Sequence, residues 1–132
     1  MAFLRALPVI LLCATTASAA VLPLKPGTYV SSRSACRDPA FAAMFSYDGR
    51  RFSYPNASGC RSVTLSQKGR RYHVRETCSA AGDGTPEASF TTETTYAIRS
   101  ATQVSIINRG RKAALAYRWC PAEPVSGRHI AH

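Results

Sequence analysis

Tight-turn signals divide the chain beyond Ala20 into short segments; Asp48-Gly49, Lys68-Gly69 and the Asn108 to Gly110 stretch are the clearest. The segments between them are rich in Tyr, Phe, Val, Ile and Thr and lack a helical period, the pattern of short strands in an all-β sandwich or barrel. Strand one is read at "GTYVSSRS", residues 27–34, and "DPAFAAM" follows as one helical turn capped by Asp38 with Pro39 at its first position. Folding "MFSYDGRRFSY" as a type I′ hairpin at Asp48-Gly49 sets Phe45 opposite Phe52 and Tyr47 opposite Arg50. Folding "RSVTLSQKGRRYHVRETC" at Lys68-Gly69 places Val63 against Val74, Leu65 against Tyr72 and Arg61 against Glu76 on the core side. Ser62, Thr64, Ser66, Arg71, His73 and Arg75 then fall on the wet side. "SAAGDGTPE" reads as a loop, "ASFTTETTYAIRS" as one strand, and the last hairpin puts Val104 and Ile106 on one face with Leu115, Tyr117 and Trp119. About eight antiparallel strands in one sheet must close or leave two edges bare. A small up-and-down barrel is therefore expected, with a two-layer β-sandwich as the alternative. A barrel of this size is filled by side chains or holds one small ligand.

The chain begins "MAFLRALPVILLCATTASAA", a lone Arg5, a short apolar run and a small-residue site ending at Ala19. These are the parts of a cleaved secretory signal peptide over residues 1–19, and the apolar run is shorter than the ~20 residues needed to span a bilayer. Removing 19 of the 132 residues leaves 113, enough for a single domain over residues 20–120 and a tail over 121–132 expected to fray. Without Cys13, four cysteines remain, Cys36, Cys60, Cys78 and Cys120, an even number in an exported chain and hence two expected disulfides. On the hairpin parity Cys60 and Cys78 face opposite ways, so bridging them requires a bulge; of the three possible pairings this favours Cys36–Cys60 with Cys78–Cys120, although a strict up-and-down count puts Cys78 and Cys120 at opposite rims. The cysteine spacings do not suit structural zinc, and no metal or cofactor is expected.

The 17 basic residues outnumber seven acidic ones, and 13 of the 16 basic residues left after Arg5 are arginine, a side chain whose planar fork suits carboxylates and phosphates. Arg71, His73 and Arg75 recur at every second position, ~6.8 Å apart on an extended strand, a spacing that can match charges on an anionic partner. The same row also serves as ordinary solvated surface, and net charge supports solubility by itself. His73 with Glu76 is the closest approach to an acid–base pair of a secreted ribonuclease, but three residues apart on a strand they point to opposite faces. The serines lack a nucleophile elbow, and "GDG" at 82–84 lacks the repeated acids of a calcium loop. No catalytic residue is assigned. "NAS" at 56–58 matches the glycosylation acceptor pattern of a eukaryotic host. Nucleic acid is disfavoured as a ligand because the aromatics that would stack bases take inward parity.

The series "GTYV", "DPAF", "YDGRRFSY", "YHVRETC", "GDGTP" and "YRWCP" resembles small, uncharacterised exported β-proteins of Gram-negative bacteria. The layout is also similar in kind to periplasmic barrels that inhibit lysozyme or metalloproteases, although their inhibitory loop motifs are missing. That similarity implies the fold and a periplasmic or secreted compartment and leaves the target open; the function expected here is a monomeric, disulfide-bonded, non-enzymatic binding or inhibitor-like module recognising an anionic envelope component or a protein. The surface expected to do so is Arg71, His73 and Arg75 with the loop residues Asp83 and Glu87. The alternative is a lipocalin-like carrier whose interior, lined by Phe45, Phe52, Tyr72, Tyr117 and Trp119, holds a small apolar molecule. A secreted hydrolase is a distant third.

Overall fold

The computed structural model describes residues 20–108, 110 and 112–121. The expected signal segment and all but the first residue of the expected tail lie outside them. The described residues form eight strands: β1 Gly27–Ser31, β2 Met44–Tyr47, β3 Arg51–Tyr54, β4 Ala57–Lys68, β5 Arg71–Ala80, β6 Pro86–Ser100, β7 Gln103–Asn108 and β8 Leu115–Cys120. Each is antiparallel to the next, and β1 also pairs with β8, so the sheet closes into a barrel. Closure removes both edges that an eight-stranded open sheet would expose.

Alternation fills the inside with rings. Tyr29, Phe45, Tyr47, Phe52, Val74, Tyr96, Ile98, Val104 and Ile106 form the buried cluster, with Tyr72, Tyr117 and Trp119 packed against it. All five interior residues anticipated from the sequence are there. Phe52 stacks between Tyr47 at 4.7 Å and Tyr96 at 5.1 Å, and Phe45 lies 5.1 Å from Tyr29 and from Tyr117. Val104 faces Tyr117 and Ile106 faces Leu115, as the last hairpin requires.

The turns expected at Asp48-Gly49 and Lys68-Gly69 each sit one residue later. Asp48 precedes its turn, because its carboxylate accepts from the backbone N–H of Arg50 at 2.8 Å and of Arg51 at 2.7 Å. The central pairs are Gly49-Arg50 and Gly69-Arg70, with glycine alone taking a positive φ, as in a type II′ rather than a type I′ turn. Tyr47 therefore pairs with Phe52, and Lys68 with Arg71. A bulge between Thr64 and Ser66 then shifts β4 by one residue against β5. Below it, Cys60 and Ser62 turn inward, while Val63 and Leu65, expected in the core, are 53% and 39% exposed. β5 keeps its predicted parity, with Val74, Glu76 and Cys78 buried and Arg71 and Arg75 exposed.

The same bulge decides the sulfur chemistry. It brings Cys60 to the inner face beside Cys78, and the bridges are Cys60–Cys78 and Cys36–Cys120. The alternative pairing fails because Cys120 faces out of the barrel. There Arg118, its outward neighbour, donates to Ser34 O at 2.7 Å and contacts Cys36 Sγ at 3.0 Å, so the segment after β1 folds over the outer wall. The helical turn expected at Asp38 forms instead as a single 3-10 turn over Phe41–Ala43, with Ala40 at its N-cap and no side-chain cap. Asp38 itself takes φ 48°, incompatible with starting a right-handed helix there.

One end of the barrel is plugged. Leu22 and Leu24 are buried, and the Tyr47 hydroxyl accepts from Leu22 N at 2.9 Å while lying 2.7 Å from Gly49 O and 3.0 Å from Leu22 O. Lys25 N donates to Ala101 O, and the Tyr29 hydroxyl reaches Lys25 O at 2.7 Å. Burial of that phenol, with Tyr47 beside it, pushes its pKa up to about 12. Among the described residues the other end is open.

Candidate functional site

The open end leads into a cavity of about 600 Å³, whose walls include Phe45, Tyr54, Glu76, Phe90, Ile106 and Tyr117. Its shape follows from unequal strand lengths. β5 and β6 run on to Ala80 and Pro86, whereas the last β6–β7 pair is Thr94 with Asn108, so the wall is high on one side and low on the other. Phe90 and Leu115, 42% and 36% exposed, stand at this mouth. Gly82 ties the β5–β6 loop down over the β3–β4 turn: a Cβ there would lie 1.8 Å from Pro55 O. Asn56, the glycosylation-pattern residue, is exposed in that turn.

Inside the cavity is a carboxyl. Glu76 shares the inward face of β5 with Val74 and Cys78 and is 2% exposed. Tyr54 of β3 lies 2.8 Å from its Oε2, Tyr96 of β6 bonds Oε1, and the two phenol oxygens are 2.7 Å apart. Three side chains thus close a ring of three contacts. With Glu76 ionised, both phenols donate to it and the contact between them holds no proton. With Glu76 protonated, the carboxyl donates to Tyr54, Tyr54 to Tyr96 and Tyr96 back to Oε1, so every contact carries one proton. Burial acts the same way, raising the Glu76 pKa, partly offset by the bonds from Tyr96 and Tyr54. Burial together with the neighbouring Glu76 raises Tyr54, and burial with Tyr54 and Glu76 raises Tyr96, so both stay phenols at neutral pH. Ser62, the cross-strand partner of Glu76, has a buried hydroxyl with no hydrogen-bond partner among the described residues.

The exterior row is arranged differently from the sequence reading. Arg71, His73 and Arg75 do share the outer face of β5, but Ser62 and Thr64 no longer flank them. Glu93 of β6 stands between two of the three: its Oε2 is 3.0 Å from His73 Nε2, and Arg75 donates to Oε1 from Nη2 at 2.9 Å and from Nε at 3.2 Å. Hydrogen bonds from Arg75 and His73 hold the Glu93 carboxyl below the usual range. Arg71 faces Lys68 and Ala97 across its two ladders. Asp83 lies in the loop and accepts from Thr85 N at 2.9 Å, whereas Glu87, expected in that loop, is the second residue of β6. Both stand at the mouth, far along the strand from Arg71. His73 and Glu76 point to opposite sides of the wall and cannot act as one acid–base pair.

Among the described residues, no three His, Cys, Asp or Glu side chains converge on a metal-sized position. Tyr54, Tyr96 and Glu93 are functional candidates that sequence reasoning passed over, and Glu76 was weighed there only as a partner of His73. A signal for Glu76 was present, since it was the acidic residue on the apolar parity of β5. Comparison with protein-family models, with curated proteins and with solved structures returns no match.

Proposed function

We propose that this chain is a non-enzymatic binding protein of the periplasm or the secreted fraction whose barrel holds one small amphiphilic molecule end-on. The observation that carries this reading is the cavity: about 600 Å³, floored by Phe45, Tyr96, Ile106 and Tyr117, with Phe90 and Leu115 at the mouth and a buried polar cluster inside. Sites of this volume, with apolar walls and few convergent polar groups, are the usual form of small-ligand pockets. Two disulfides suit an oxidising compartment, and among the described residues no helix is long and apolar enough to cross a membrane. The test is titration with the neutral fluorophore N-phenylnaphthylamine. Saturable binding that is lost when Thr94→Trp fills the cup supports the reading; a Thr94→Trp protein that binds the dye unchanged overturns it.

A second reading has its own observation. On the outer wall Arg51 is paired directly with Arg61, and Lys68 with Arg71, like charges facing each other with Val63 and Leu65 exposed nearby. Such pairs are unfavourable on their own and are relieved by an anionic surface, as the envelope-binding expectation would have it. Co-sedimentation with vesicles containing phosphatidylglycerol tests it, and Arg51→Glu with Arg61→Glu is expected to abolish it. Equal sedimentation of the variant would remove this second surface and leave the cup untouched.

A further inference from the structure

The interior chemistry selects among possible guests. Glu76 is the only buried carboxyl among the described acidic residues, and its oxygens meet only the hydroxyls of Tyr54 and Tyr96. No Lys, Arg or His of the described residues pairs with it, although the chain is rich in arginine. The rings around it belong to Phe45, Tyr54, Tyr96 and Tyr117, and the faces of aromatic rings are electron-rich. An anionic guest would meet ring faces, which repel it, and a carboxyl that it can face only while Glu76 keeps its proton. A cation would meet a carboxylate and ring faces, both of which attract it. The mouth carries both signs, Asp83 and Glu87 on the β5–β6 side and Lys112 between β7 and β8, so selection falls to the interior.

Building on the cup reading above, we propose that the cavity is a site for organic cations: an alkyl or arylalkyl ammonium enters tail-outward and places its nitrogen against Glu76 inside the aromatic ring set. The oxygen ring makes the exchange balanced. When Glu76 is protonated, three protons occupy the three contacts; on binding from that state the Glu76 O–H bond breaks, its proton leaves to solvent, and the ammonium N–H groups take its place on the carboxylate. Tyr54 and Tyr96 keep their protons and both donate to the newly charged oxygens. No covalent bond to the guest is made or broken.

Binding is then linked to proton release. The titratable groups that face Glu76 are Tyr54 from β3, Tyr96 from β6 and Tyr117 from β8; Ser62 on β4 and Thr92 on β6 are its uncharged cross-strand partners. His73 and Arg75 lie on the outer face, where both hydrogen-bond Glu93, a residue that also forms part of the cavity wall. Affinity for an ammonium therefore rises with pH while Glu76 is the group that must ionise.

The experiment is calorimetric titration of the oxidised protein with octylamine, octanol and octanoate, run between about pH 5 and 8 in two buffers of different ionisation enthalpy. Octylammonium is expected to bind on the order of ten- to a hundredfold more tightly than octanol, the factor of one charge-assisted contact, and to release protons on binding. Glu76→Gln is expected to erase that preference and the proton release while still binding octanol. Equal affinity of octanol and octylammonium for the wild type, tighter binding of octanoate, or a preference that survives Glu76→Gln would overturn the cation assignment and leave the cup standing. Failure of all three probes to bind would overturn the cup as well. The wild-type comparison decides the matter even if the variant folds poorly.

Discussion

Glu76 is a carboxyl on a strand face otherwise given to Val74 and Cys78, and its energetic role depends on its proton. Its pKa in the folded chain is raised from 4.5, chiefly by burial. The folded state thus binds a proton that the unfolded state releases, and the stability this contributes is complete below the ordinary carboxylate range. It is lost as pH rises through the raised value, at up to about 1.4 kcal/mol per pH unit. Glu76→Gln should flatten that decline, because an amide reproduces the neutral acid: its NH₂ donates to Tyr54 and its oxygen accepts from Tyr96. Denaturant titrations of both proteins from about pH 4 to 8 check this, the variant being equal or more stable at the upper end. Glu93 titrates in the opposite sense. Its pKa is lowered by Arg75 and His73, so its contribution is present at neutral pH and fades on acidification. Tyr96→Phe removes a donor from a buried carboxyl oxygen and should cost about 1–3 kcal/mol, measured by the same titration.

At the scale of elements, β4 shows what could be read from the sequence and what could not. Period-two alternation located every strand, and on β5 it also assigned the faces correctly, because Tyr72, Val74, Glu76 and Cys78 have no competing pattern. On β4 the apolar pair Val63 and Leu65 argued for one parity and Cys60 for the other. Alternation has no means of ranking two aliphatics against a sulfur bridge, and the bulge at residue 65 that settles it leaves no local signature. The turns slipped for a related reason: Asp48 looked like a turn centre, but its carboxylate is better used just before the turn, accepting two N–H groups. The site suffered most, because Tyr54, Glu76 and Tyr96 come from β3, β5 and β6 and meet only after closure. The corrected bridges carry a prediction. Cys36–Cys120 spans 84 residues and Cys60–Cys78 spans 18 within one hairpin. Replacing the first pair with serine should therefore destabilise by about 1 kcal/mol more than replacing the second, on the loop-entropy account. Equal losses from the two double variants would show that local strain or denatured-state structure outweighs loop length.

For the whole molecule, a barrel with one plugged and one open end separates stability from binding. The plug is made by residues 21–25, which belong to no strand yet fill the space beneath Tyr29 and Tyr47. The mouth is bounded by Phe90, Asn108 and Leu115 at the opposite end, where little is buried. Contacts at the plug are formed whether or not the cup is occupied, so damage there should change folding without changing affinity. Leu22→Ala removes a side chain 1% exposed and should cost about 2–5 kcal/mol, while Tyr47→Phe, which loses only the hydroxyl that bonds the plug, should cost about 1–2 kcal/mol. Both variants, kept well below their unfolding midpoints, should bind N-phenylnaphthylamine and octylammonium as the wild type does. Ligand held in the cup should in turn stabilise all three proteins by the same increment, about 2.7 kcal/mol at a hundredfold excess over Kd. If Leu22→Ala instead loosens ligand binding in proportion to its loss of stability, the two ends are one cooperative core, and the division of labour between plug and mouth fails.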